Sequence, residues 1–164
     1  IKFDRAPAPL ADEAIRSMRT LNRAASEALQ PLDAGSVRAC TDVTGFGLAG
    51  HATEMAAASH VTIVIEAGKV PLFEGVIKLT AGNQSGGLSS NRSYFGQGLE
   101  VAPNVDAEVL SLLFDPQTSG GLLFAVARDS AARVAVALEE AGVRAWPVGE
   151  AVPAKGSVRV VVRP

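Results

Sequence analysis

The sequence predicts an α+β fold, a mixed β-sheet with packed helices, on three observations. Segments of helical period alternate with β-branched runs without settling into steady βαβ repeats. The chain has 164 residues, the length of one domain or at most one and a half. Hydrophobic residues make up 48% and charged residues 20%, ordinary globular usage that rules out a disordered chain.

Residues 1–10 carry Pro7 and Pro9 and read as an extended lead-in to a domain over 11–164. Asp12 precedes a helical pattern in which Ile15, Met18, Leu21, Ala25, Ala28 and Leu29 share one face until Pro31 stops it. A short strand over 37–40 runs directly into Thr41-Asp42-Val43-Thr44-Gly45-Phe46-Gly47. Leu48, His51, Ala52, Met55 and Ala58 mark one face of the next helix, and the β-branched run over 61–65 is the strongest strand. Pro71 is expected to open a helix carrying Leu72, Val76 and Leu79. From 81 to 104 periodicity disappears. With Gly82, Gly86, Gly87, Gly96 and Gly98, this stretch reads as a functional or mobile loop. Next come a short helix over 107–113, a turn over 115–121 and a buried strand over 122–127. A helix opened by Asp129 runs through Glu140 and stops at Gly142. Strands over 144–148 and 157–162 close the chain.

Composition excludes several classes of function. Fifteen Lys plus Arg against 17 Asp plus Glu give a formal charge of −2, with no basic footprint for nucleic acid. The single Cys excludes an internal disulfide framework and any multi-cysteine zinc site. The apolar runs, such as 122–127, are far shorter than the roughly 20 residues that span a bilayer. The start of the chain has neither an initiator Met nor a signal-peptide apolar region, so the expectation is a soluble, cytoplasmic domain cut from something longer.

Two motifs can carry chemistry. In ACTDVTGFG, residues 39–47, a strand delivers Asp42 to its end, Thr41 and Thr44 flank it, and Gly45 and Gly47 turn the chain into a helix. A carboxylate so placed suits Mg²⁺, which prefers oxygen and keeps waters and phosphates in its shell. The following helix N-terminus favours anions. Asp42 can equally be no more than a turn cap. In DPQTSGG, residues 115–121, Asp-Pro starts a turn, Gln117, Thr118 and Ser119 supply polar groups, and Gly120-Gly121 brings backbone close to a neighbour. That too is sufficient as a turn, with Asp115 as a possible second carboxylate. The Gly-rich stretch, with Asn91 and Arg92, can order over a nucleotide or a partner domain, or be a solvated excursion. His51 reads as a core or interface histidine, and Cys40 as a small buried hydrophobe. Local spacing builds no His/Cys cluster, Ser-His-Asp arrangement or close carboxylate pair.

Taken together, TDVTGFGLAGHATEM (41–55), GGLSSNR (86–92) and DPQTSGGLL (115–123) closely resemble the C-terminal half of the selenophosphate synthetase (selenide, water dikinase) family, from residue 9 to the end. Other members of the aminoimidazole ribonucleotide synthetase superfamily share the fold and a version of the first motif, and QTSGG beside TDVTGFG points to the selenium branch. Another superfamily enzyme, such as aminoimidazole ribonucleotide synthetase or a hydrogenase-maturation ATPase, is one alternative. A non-catalytic binding or assembly module of the same fold is the other.

The resemblance implies an enzyme that makes selenophosphate, AMP and phosphate from ATP, selenide and water with Mg²⁺. It implies a homodimer paired through N-terminal halves, with nucleotide and metals in the cleft between the two halves. By the same resemblance, Asp42 is a Mg²⁺ ligand. Thr41, Thr44, Gly45, Gly47, Asn91, Gln117, Thr118, Ser119 and Gly120 line the cleft. The reactive Cys or selenocysteine and its Lys belong to the N-terminal half, so Cys40 is not that residue. This chain by itself is expected to be inactive, with its own N-terminal domain as the partner it needs.

Overall fold

A computed structural model describes residues 5–164, and residues 1–4 of the expected lead-in lie outside them. The first helix, α1, spans Ala8–Arg19 and so begins inside the segment read as extended. Pro9 falls in its first turn, where a missing N–H costs nothing. The single helix expected up to Pro31 is two. Thr20 leaves helical geometry at φ −76°, ψ 120°, and its hydroxyl and N–H both close on the Arg16 carbonyl, at 2.9 and 3.1 Å. The chain then restarts as α2, Arg23–Leu29.

The strand expected over 37–40 extends to Asp42 as β1, Val37–Asp42. It leads into α3, Gly47–Ser59, and then β2, Val61–Glu66. The most buried stripe of α3 is Ala49, Ala52 and Ala56, displaced from the expected Leu48 face. Small side chains let this helix pack closely on β1 and β2.

The expected helix at Pro71 is only α4, Val76–Thr80. Gly75, at φ +80°, breaks helical geometry just before it. The Gly-rich stretch is not a loop. It holds α5, Gly86–Phe95, and β3, Leu99–Val101. Ser85 caps α5 by accepting the Leu88 N–H at 3.1 Å, and Leu88, Asn91 and Phe95 form its buried stripe.

The remaining elements are α6, Ala107–Leu112; β4, Leu122–Val126; α7, Ala131–Glu140; β5, Gly149–Pro153; and β6, Val160–Arg163. β4 is half-buried rather than buried. Gly142 follows α7 at φ +69°, as its expected stop. The strand expected over 144–148 lies further on, after Pro147. The Val148 carbonyl accepts the Glu66 N–H at 2.8 Å, and the β2–β5 ladder starts with Gly149 opposite Ile65.

The mixed sheet runs β3-β6-β2-β5, with β6 parallel to β2 and β3, and β5 antiparallel to β2. A separate antiparallel ribbon pairs β1 with β4. The core joins Ala49 and Ala52 of α3, Leu88 and Phe95 of α5, Leu113, Phe114, and Ile65, Val160 and Val162 of the sheet. The α+β fold class holds. Among the described residues, no helix is long and apolar enough to cross a membrane.

Candidate metal corner

Exposure alternates along β1. Arg38, Cys40 and Asp42 point outward, while Val37, Ala39 and Thr41 are half-buried. Opposite Thr41, Leu123 packs against the core, which fixes the inner face of the ribbon. Asp42, opposite Leu122, is therefore delivered to the strand end on the open face. Its carboxylate makes no hydrogen bond or ion pair among the described residues. Thr41 lies on the other face, and its hydroxyl donates to the Asp42 carbonyl at 3.3 Å, so the two side chains do not converge.

The ribbon continues beyond its strands by zipping the two motifs together. Val43 N–H donates to Gly121 O at 2.9 Å, Gly120 N–H to Val43 O at 2.8 Å, and Gln117 N–H to Thr44 O at 3.0 Å. Ala49 N–H reaches Leu113 O at 2.8 Å. Asn91, buried at 8% exposure, donates its side-chain amide to Gly45 O at 2.8 Å and Phe114 O at 3.0 Å. Asn91 is thus a cross-link between the motifs, with its amide nitrogen committed to protein carbonyls. The Leu88–Asn91–Phe95 spacing carried that signal, and the surrounding glycines hid it.

The glycines divide by role. Gly47 has φ +69°, and a Cβ there would sit 2.8–2.9 Å from Leu113 O, Phe114 C and Asp115 O. A Cβ on Gly120 would meet the Gln117 side chain and Val43. A Cβ on Gly87 would come within 2.8 Å of Pro116, so the Gly-rich helix abuts the second motif. Gly45, by contrast, is exposed with nothing within 4 Å of a built Cβ. The turn does not require glycine there. Thr118 is exposed and Ser119 half-buried, and neither side chain bonds to a described residue. The segment 82–98, read as ordering over a nucleotide or a partner domain or as a solvated excursion, is instead anchored in the core by Leu88 and Phe95.

Cys40 is exposed, not buried as the sequence suggested. Neighbouring side chains still shield its thiol in part, and that desolvation, then the Asp42 carboxylate, raises its pKa. The thiol is kept protonated and weakly nucleophilic.

Partial burial also raises the Asp115 pKa above its ordinary 3.8, and no cation among the described residues offsets it. The folded state therefore holds this proton to higher pH than the unfolded chain does. The resulting stability is full below pH 3.8 and is lost as pH rises through the folded pKa. Asp115→Asn should accordingly raise the melting temperature near pH 7, with the gain shrinking as pH falls toward the unfolded value. Melting curves across that range check it, and a variant less stable at pH 7 would contradict it.

The corner suits one oxygen ligand to a hard cation. Among the described residues the Asp42 carboxylate is open and uncommitted, yet no group of three or more His, Cys, Asp or Glu stands close enough to hold an ion. An ion held there would need its other ligands from water, phosphate or a further protein segment.

Residues 8–162 match the family model of the AIR synthase related protein, C-terminal domain. The chain is 39% identical to the selenide, water dikinase of Nitratidesulfovibrio vulgaris over 154 residues, covering 93% of this chain and 43% of that protein. It is 39% identical to that of Clostridioides difficile over 155 residues, again 93% and 43%. With that of Geobacter metallireducens it shares 38% identity over 162 residues, 98% of this chain and 46% of the relative. The chain spans less than half the length of these curated relatives.

Proposed function

We propose, for a chain that belongs to the AIR synthase related protein family through its C-terminal domain, that it is the C-terminal half of a selenide, water dikinase. The full enzyme would convert ATP, selenide and water to selenophosphate, AMP and phosphate. The observation that carries the site reading is Asp42, exposed at the end of β1 with a carboxylate unpaired among the described residues, on a turn tied to the second motif by three backbone hydrogen bonds. Its family membership and the selenide, water dikinase names of its relatives support the reaction class.

In this reading the domain over 11–164 forms one wall of a cleft, and an N-terminal domain carries the reactive Cys or selenocysteine, the Lys and the remaining metal ligands. Asp42 holds one coordination position of Mg²⁺. The ion would neutralise charge on the ATP phosphates, the main requirement of phosphoryl transfer. Thr118 and Ser119 offer free hydroxyls on the cleft wall. Gln117 and Gly120 shape that wall. Thr44, Gly45, Gly47 and Asn91 hold the turn, and Thr41, facing inward, supports it from behind. Cys40 keeps its proton and takes no part. The enzyme would act in the cytoplasm as a homodimer paired through the N-terminal halves.

One carboxylate removes little of the hydration of Mg²⁺, so the 164-residue chain should bind the ion weakly and turn over no ATP. ATP turnover by this purified chain, abolished by Asp42→Asn, would overturn the division of labour between halves. For the full-length protein, the test is AMP formation that requires selenide and fails when a thiol replaces it. AMP formation indifferent to selenide would point to another reaction of the same superfamily.

A further inference from the structure

The turn after Asp42 depends on a side chain that neither the metal reading nor the motif pairing uses. Val43 is paired to the second motif on both its N–H and its carbonyl, and the Thr44 carbonyl accepts from Gln117. The Thr44 N–H points the other way, toward α3. There it donates to Nε2 of His51 at 3.0 Å, and the Thr44 hydroxyl lies 3.2 Å from the same nitrogen. His51 is half-buried one turn into α3, with its ring centroid 5.4 Å from that of Phe46. A backbone N–H can only donate, so Nε2 must present its lone pair, and any ring proton of the neutral form sits on Nδ1.

We propose that His51 is a positioning residue for the metal corner: its Nε2 fixes the Thr44 N–H and thereby the direction in which Asp42, two residues earlier, leaves the strand. This rests on Asp42 being a metal ligand. Without the acceptor, Thr44 N–H would be a half-buried donor with no partner. The turn would then relax toward water or another acceptor, taking Asp42 with it. Outer groups that orient ligands commonly change metal affinity 10–100-fold when removed. His51 acts on Asp42 through Thr44 and need not touch the ion.

Two measurements test this. In the ¹⁵N-labelled 164-residue chain, the expected results are an Nδ1–H tautomer of His51 and a ¹⁵N–¹⁵N coupling across the hydrogen bond between Thr44 N and His51 Nε2. An Nε2–H tautomer at neutral pH overturns the proposal whatever the protein does. In the full-length enzyme, the half-saturating Mg²⁺ concentration should rise about 10-fold in His51→Leu, with most of kcat recovered at saturating Mg²⁺. His51→Asn, whose acceptor stands where Nδ1 does and cannot reach Thr44, should show the same rise in a polar, more foldable background. His51→Gln restores an acceptor near Nε2 and should remain within about twofold of the parent, against the loss that removal of an outer group causes. A purely structural histidine would lower melting temperature and leave the Mg²⁺ requirement unchanged. An unchanged requirement in both Leu and Asn variants, while Asp42→Asn is defective, overturns the positioning role alone. If Asp42→Asn is itself near normal, the metal reading fails, and this proposal with it.

Discussion

Asp42→Asn in the full-length enzyme is expected to reduce selenide-dependent AMP formation by about 100-fold or more, on the scale that losing a metal ligand or its support commonly produces. The substitution keeps shape and removes the charge, so a metal-bound nucleotide loses one anionic oxygen. The fold should be untouched: Asp42 is exposed and its carboxylate bonds to no described residue, so replacing the side chain breaks no internal hydrogen bond among them. Circular dichroism and melting temperature within error of the parent, together with lost activity, is the expected pair of results. Near-normal selenophosphate formation would reduce Asp42 to a turn residue.

Gly47→Ala is the substitution expected to damage the fold most. Two separate causes add. The residue sits at φ +69°, where an L side chain is strained, and its Cβ would press on carbonyl and carbon atoms of Leu113, Phe114 and Asp115. Those are backbone atoms tied into the motif pairing, since Leu113 O accepts the Ala49 N–H. They cannot swing aside as a flexible side chain would. A loss of about 3 kcal/mol or more is expected, which for a chain of this size is a drop in melting temperature of roughly 6–12 °C. Gly45→Ala, two residues away and in open space, should stay within about 0.5 kcal/mol on the same measurement. Equal stability of the two variants would contradict the packing described for the turn.

What could be read from the sequence depended on whether a segment's own chemistry or its neighbours decided its structure. The β-branched run at β2, the helix α6 and the stop of α7 at Gly142 follow from local preference and appear where expected. The sequence places Asp42 at the end of a strand, before a glycine turn; that its face is open shows only in the exposure of Arg38, Cys40 and Asp42 along β1. Helix α5 was hidden because glycine-rich composition masked the Ser85 cap and the Leu88–Asn91–Phe95 stripe, and only packing against Phe114 and α3 makes a helix worthwhile there. On α3 the large side chains Leu48 and Met55 suggest one face, but closeness of approach selects another. Alanines are buried there since the helix must approach β2, and Leu48 and Met55 are left half-buried. The sequence suggests a buried Cys40, yet it lies on the outward face of a two-stranded ribbon, where neighbouring side chains shield its thiol only in part. The contacts that set the corner join segments far apart in sequence: backbone hydrogen bonds of 43–44 with 117–121, and the Asn91 side-chain amide to the Gly45 and Phe114 carbonyls. No local pattern encodes them.

The most direct test is a crystal structure of the full-length enzyme with Mg²⁺ and a non-hydrolysable ATP analogue. An Asp42 carboxylate oxygen about 2.0–2.1 Å from an ion that also contacts phosphate is the predicted result. A fully ligated ion and nucleotide with Asp42 turned to bulk solvent would contradict it.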